Sequence, residues 1–142
     1  MNRLSLLLLL ALPFAGCDSN EPVVNSCANE SREIVMEELV TGTSPARADA
    51  NDLVRINYVG QLEDGTVFDS ATNYTERVSA FVAGFSEGVT GMRIGSKRRL
   101  TIPPYLAYST ERRTRTVDGE EVEIIPACST LIFEVVLLDI LT

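Results

Sequence analysis

A chain of 142 residues fits one domain with a leader and does not call for a second domain. Its 12 basic and 20 acidic residues give a net charge of −8, which argues against nucleic acid as a partner and against an electrostatic grip on anionic lipid. With no histidine and three cysteines, it offers no complete zinc site.

The chain opens with Arg3, an apolar run over 4–12 interrupted by Ser5, and then Pro13-Phe14-Ala15-Gly16-Cys17. An early positive charge, a short apolar stretch and small residues before a cleavage point form an export signal over 1–16, too short for a bilayer span of about 20 residues. Cys17 directly after Ala15-Gly16 looks like a lipobox, in which the thiol is acylated and becomes the new first residue. An ordinary cleaved signal with Cys17 as a bystander is the alternative. Loss of 1–16 removes only Arg3 and takes the net charge to −9, so membrane attachment would rest on acyl chains. The polar stretch that follows, to residue 31, reads as a tether, with the folded domain over 32–142. Lipidation of Cys17 would leave Cys27 and Cys128 as an even remainder in an oxidising compartment, which suggests a disulfide; two free thiols are the alternative.

Residues 34–40 are β-prone, and Thr41-Gly42-Thr43-Ser44-Pro45 begins a loop that runs to about Asp52. Over 53–62, Val54, Ile56 and Tyr58 alternate with Arg55 and Asn57, the period of a half-buried strand. Asp64-Gly65 then supplies a turn into Val67-Phe68-Asp69-Ser70, because Gly tolerates positive φ. Residues 71–77 are polar and read as loop, and 78–82 as a short strand. Apolar positions at Phe85, Val89 and Met92 fit one short helix, marginal alone because it contains Gly88 and Gly91. Residues 97–102 return to strand character and are stopped by Pro103-Pro104, neither of which can donate to a ladder.

The Asp118-Gly119 pair predicts a protruding hairpin over 114–123, with basic residues of the first arm opposite or diagonal to acidic residues of the second. Residues 131–141 are nearly all apolar and read as a central strand, a buried helix being the alternative. Five or six antiparallel strands with one short helix make an α+β arrangement, the helix covering one face of the sheet.

Several blocks carry a resemblance. Residues 58–70, reading YVGQLEDGTVFDS, are followed by Gly88-Val89, Gly91-Met92 and Gly95, then Arg99-Leu100-Thr101-Ile102-Pro103, Ala107-Tyr108, Ile124-Ile125-Pro126 and Leu131-Ile132-Phe133-Glu134-Val135. The set, in this order over about 110 residues, resembles the FKBP family of peptidyl-prolyl cis-trans isomerases. The resemblance implies a curved antiparallel sheet wrapped on the helix, with an aromatic pocket between them for a proline ring. Matched motif to motif, it implies Phe85 as the pocket floor and Tyr58, Phe68, Phe81 and Phe133 as walls. Val82 would offer its N–H, and Tyr108 its hydroxyl, to substrate carbonyls; Asp69 would sit at the edge and Ile125 would press from the long loop. Read without the ordered motifs, the same aromatics are core packing. Three departures from the family pattern are Phe85, where a Trp is frequent, Ser109, where a Gly usually follows the Ala-Tyr pair, and a short segment between Asp69 and Phe85.

These readings imply an envelope isomerase that speeds slow proline steps in unfolded or nascent exported proteins, lipid-anchored outside the cytoplasm, open to macrolide inhibitors and needing no cofactor or metal. A proline-recognising chaperone or binding module with little turnover, and a purely structural lipoprotein with a closed aromatic core, are the rivals. Alternating strands and turns fit all three.

Overall fold

A computed structural model describes Cys27 and residues 33–141. The expected export signal, Cys17 and nearly all of the tether lie outside the described residues. Seven strands form: β1 (Val35–Val40), β2 (Leu53–Leu62), β3 (Val67–Arg77), β4 (Lys97–Ile102), β5 (Arg113–Val117), β6 (Glu120–Ile125) and β7 (Leu131–Leu141), with one helix, α1 (Ala83–Val89). Five of them make an antiparallel sheet in the order β1-β4-β7-β2-β3, and β5-β6 stand apart as a hairpin.

The alternation in β2 places Val54 and Ile56 at zero exposure on the face that meets α1. Across from them β7 buries Leu131, Phe133, Val135 and Leu137, and β4 buries Leu100 and Ile102. Because β7 pairs with β2 on one side and β4 on the other, it is the central strand that its apolar run predicts. Phe85 and Val89 seal the core from the helix side. Gly84 and Gly88 let α1 lie close on β4, since a Cβ at either would collide with the side chain of Ile102 or Leu100 respectively.

Two expectations fail in the same region. Residues 71–77, read as loop, continue β3, pairing Tyr74 with Ile56, Thr75 with Arg55 and Glu76 with Val54. An edge strand needs few apolar residues, so its polarity looks like that of a loop. Residues 78–82, read as a strand, instead form a 3-10 turn over Val78–Ala80. Val78 is buried in the core, and the N–H groups of Val78 and Ser79 donate to the carbonyls of Asp52 and Ala50, so this backbone is satisfied by the preceding loop and not by a ladder.

The hairpin has the expected turn, with φ of +52° at Asp118 and +87° at Gly119, as a two-residue connection with two positive φ values requires. Of the two arrangements expected for its charges, the register gives the diagonal one, with Glu120 diagonal to Arg115. The register sets Thr114 against Glu123, Arg115 against Val122 and Thr116 against Glu121, and Arg115 donates instead to the Phe68 carbonyl at 3.1 Å. The two-residue connection at Asp118-Gly119 already sets Arg115 against Val122, and the register shift between Arg113 and Thr114 lies beyond that pair, setting Arg113 against Ile125.

On the outer face of the sheet Glu134 accepts from Lys97 at 2.6 Å and Arg99 at 2.8 Å, and these hydrogen bonds hold its carboxyl below the ordinary carboxylate range. A carboxylate whose folded-state pKa is depressed contributes stability above its unfolded pKa and loses it as the pH falls through the folded value. Glu134→Gln is therefore expected to cost about 1 kcal/mol or less near neutral pH, since the pair is partly solvated. Urea unfolding of parent and variant at neutral pH and in acid should show this deficit closing in acid.

Cys27 and Cys128 are joined by a disulfide with Cα atoms 5.3 Å apart, which ties the start of the described chain to the β6–β7 connection.

Candidate functional site

Between α1 and the β2-β3-β7 side of the sheet lies a cavity of about 330 Å³ lined by Tyr58, Phe68, Asp69, Tyr74, Phe81, Val82, Phe85, Tyr108, Arg113 and Phe133. Each strand contributes through its register: Tyr58 continues the inward row of Val54 and Ile56, and Phe133 that of Leu131 and Val135. Phe85 lies at the bottom, 3% exposed, with its ring 4.6 Å from Phe81, 4.9 Å from Phe133 and 6.0 Å from Tyr58. Phe68 meets Phe133 edge to face at 5.5 Å. Offset and edge-on arrangements of this kind favour one fixed set of ring positions.

Gly60 makes the rings' placement possible. A Cβ on this buried mid-strand residue would stand 2.6 Å from the Phe133 ring and 2.7 Å from the Phe68 ring, so only glycine lets both rings pack against β2 here.

The polar groups are few. Tyr58 donates its hydroxyl to an Asp69 carboxylate oxygen at 2.7 Å, and the Ser70 N–H donates to the other at 2.9 Å. Burial first, and then the Asp69 hydrogen bond, push the Tyr58 phenol far above its ordinary range, so it keeps its proton and remains a donor. Val82 stands immediately before α1, and among the described residues no backbone carbonyl takes its N–H. Tyr108 follows the 3-10 turn Pro104–Leu106 and carries the Arg113 guanidinium 4.6 Å from its ring centroid.

Eight of the nine residues expected at a proline pocket, Tyr58, Phe68, Asp69, Phe81, Val82, Phe85, Tyr108 and Phe133, line this one cavity. Ile125 does not: it ends β6, 3% exposed, and lines an adjoining hollow of about 260 Å³ that shares Phe68, Asp69, Tyr108 and Arg113 with the first. Tyr74 and Arg113 were missed. Tyr74 fell in the segment read as loop, although its place in β3 opposite Ile56 brings it edge-on to Tyr58 at 6.0 Å. A further hollow of about 390 Å³ on the outer sheet face is lined by Asn57, Val59, Lys97 and Glu134 among others, and Tyr58 is its single aromatic.

A sequence model of the family described as FKBP-type peptidyl-prolyl cis-trans isomerase matches residues 44–138. This chain belongs to that family. FK506-binding protein 2 of Yarrowia lipolytica is 39% identical over 100 residues, which are 66% of this chain and 64% of that protein. FK506-binding protein 4 of Mycosarcoma maydis is 39% identical over 112 residues, 75% of this chain but 27% of that protein. The chain thus spans less than two thirds of the length of either relative. Among solved structures, a peptidyl-prolyl cis-trans isomerase from Pseudomonas syringae pv. tomato superposes with a TM-score of 0.65 at 32% identity, covering 81% of this chain and 83% of that one. FkpA from Escherichia coli superposes with a TM-score of 0.62, also at 32% identity, over 80% of this chain and 52% of its own.

The departure at Ser109 acquires a physical meaning in this FKBP-type fold. Ser109 has φ of +52°, its N–H donates to the Pro104 carbonyl at 2.7 Å, and its carbonyl accepts from Cys128 at 2.8 Å. A left-handed conformation costs an L-residue about 1–2 kcal/mol, part of which glycine gives back as unfolded-state entropy. Ser109→Gly is expected to raise stability by about 0.5–1 kcal/mol without moving the Tyr108 ring, a change that denaturant titration with m held constant would register.

Proposed function

We propose that this chain is a peptidyl-prolyl cis-trans isomerase that acts on proline-containing segments of exported proteins. The single observation that carries the reading is a ring-lined cavity of about 330 Å³ whose edge holds a backbone N–H at Val82 and a phenol at Tyr108. Its size and flat walls suit a pyrrolidine ring, and the two edge groups suit carbonyls on either side of it.

Rotation about a peptide bond faces a barrier of roughly 18–20 kcal/mol because resonance keeps the amide planar. An apolar cavity weakens that resonance by solvating the charge-separated planar form poorly, while the twisted transition state is less polar. Each 1.36 kcal/mol taken off the barrier is tenfold in rate, so about 4 kcal/mol gives a thousandfold acceleration. No nucleophile is required. Asp69 holds the Tyr58 hydroxyl at 2.7 Å and so fixes that ring as a wall.

We place the protein outside the cytoplasm, lipid-anchored through Cys17. The signal pattern over 1–16 supports this, as does the Cys27–Cys128 disulfide, a bond that persists in oxidising compartments. Mass analysis of the mature protein tests it: an acylated Cys17 at the N-terminus is expected, and a different first residue overturns the anchor.

A protease-free cis-to-trans assay on short X-Pro peptides tests the activity. Acceleration that a macrolide ligand blocks is the expected result. Peptide binding without acceleration by the folded protein would replace the isomerase with a proline-recognising module.

A further inference from the structure

We propose that Arg113 and Arg115 form a second subsite beside the proline cavity that selects client segments carrying an Asp or Glu one or two residues from the proline. The inference rests on the isomerase reading and adds a sequence preference to it. The hollow of about 260 Å³ bounded by these arginines shares Phe68, Asp69 and Tyr108 with the ring-lined cavity. A peptide whose proline enters the one can therefore run on into the other, and at about 3.3–3.6 Å per extended residue it reaches it within two residues of the proline.

Both guanidinium groups are already held in place. Arg115 donates to the Phe68 carbonyl at 3.1 Å, and Arg113 lies 4.6 Å from the Tyr108 ring centroid. Little side-chain freedom then remains to be lost when an anion arrives, and a planar fork suits a carboxylate.

The surrounding acids leave this charge available. Glu121 and Glu123 are paired with Thr116 and Thr114, which alternate with Arg115 along β5, so they lie off the Arg115 face; Glu120 is diagonal to Arg115 and Glu123 to Arg113, and among the described residues neither forms an ion pair with them. Glu111 approaches Arg113 only to 3.8 Å, with both side chains at least half exposed, a contact worth little in water. Asp69 reaches both hollows and accepts from Tyr58 and Ser70, so the smaller hollow sets two guanidinium groups against this one carboxylate. In a chain of net charge −8, Arg113 and Arg115 concentrate positive charge at the pocket rim.

The experiment measures kcat/KM of the full chain on X-Pro peptides that differ only in Glu, Ala or Lys at the positions flanking the proline. Glu peptides are expected to exceed Lys peptides by about five- to tenfold at low salt. That ratio should shrink as added salt shortens the screening length from about 10 Å at 0.1 M toward about 3 Å at 1 M. In Arg113→Gln/Arg115→Gln it should approach one, and Arg113→Lys/Arg115→Lys should restore part of it. Equal rates for the three peptides, or a ratio that ignores salt, would overturn the subsite; the salt series uses the parent protein and so survives a variant that fails to fold. If no peptide is accelerated, the isomerase reading fails by itself. Binding of the same peptides carrying a fluorophore then decides the subsite, with tighter Glu binding supporting it and equal binding overturning it.

Discussion

Phe85→Ala is expected to lose about 3–5 kcal/mol of stability and to bring prolyl turnover to the background rate. The ring is 3% exposed and stands within 6.0 Å, centroid to centroid, of Phe81, Phe133 and Tyr58, so its removal empties the meeting point of helix and sheet. Helix α1 has seven residues with glycines at 84 and 88 and no side-chain hydrogen bond at its N-cap. Such a helix does not persist without the packing that Phe85 supplies. Because a poorly folded variant would be inactive for an uninformative reason, Phe85→Leu separates the two roles. An aliphatic side chain refills much of the volume at a cost of about 1.5 kcal/mol or less, but removes the flat ring face. Ring contacts contribute about 0.5–1.5 kcal/mol each beyond buried area, so turnover of Phe85→Leu should fall some fivefold while the fold survives. Urea unfolding beside the cis-to-trans assay reads both quantities. An unchanged rate in a folded Phe85→Leu would show that the floor of the cavity does not touch the substrate.

How far the sequence predicts this arrangement depends on how local each determinant is. The period-two pattern of β2, the Asp118-Gly119 turn and the stop at Pro103-Pro104 are short-range steric facts, and they appear in the structure at the positions expected. Polarity misled in residues 71–77, because an edge strand satisfies its backbone through β2 alone and needs no apolar face. Residues 78–82 have strand composition, but the Val78 and Ser79 N–H groups find carbonyls in the loop at Asp52 and Ala50, a long-range pairing that composition does not encode. The aromatic site was legible only as an ordered set of motifs. No single ring distinguishes a wall from core packing until Gly60 opens the space for Phe68 and Phe133. Arg115 shows the opposite failure. Its place diagonal to Glu120 follows from the turn, but its hydrogen-bond partner is the Phe68 carbonyl, a contact with β3 that the pattern of the two arms does not encode.

Removing the Cys27–Cys128 bond should separate stability from turnover. The two cysteines are 101 positions apart, and closing a loop of that size stabilises by up to about 4.7 kcal/mol in the chain-entropy model, with about 2–4 kcal/mol typical of measured bridges. Most of this effect lies in the unfolded chain, which the bridge denies many of its extended conformations. Cys27→Ser/Cys128→Ser is therefore expected to lower Tm by about 10 °C or more for a domain of this size. The β6–β7 connection keeps other ties when the bond is gone: the Cys128 N–H donates to the Ser109 carbonyl at 2.8 Å, and the Ser129 hydroxyl donates to the Pro126 carbonyl at 2.7 Å. Ile125 stays buried at the end of β6, and neither cysteine lines the ring cavity. Turnover at 25 °C should thus remain within about twofold of the parent, since losing 0.4 kcal/mol or less of positioning corresponds to that factor. A variant with parental Tm would mean that the bridge constrains little in solution. One with parental Tm and lost turnover would instead assign the bond to shaping the rim between Tyr108 and Ile125.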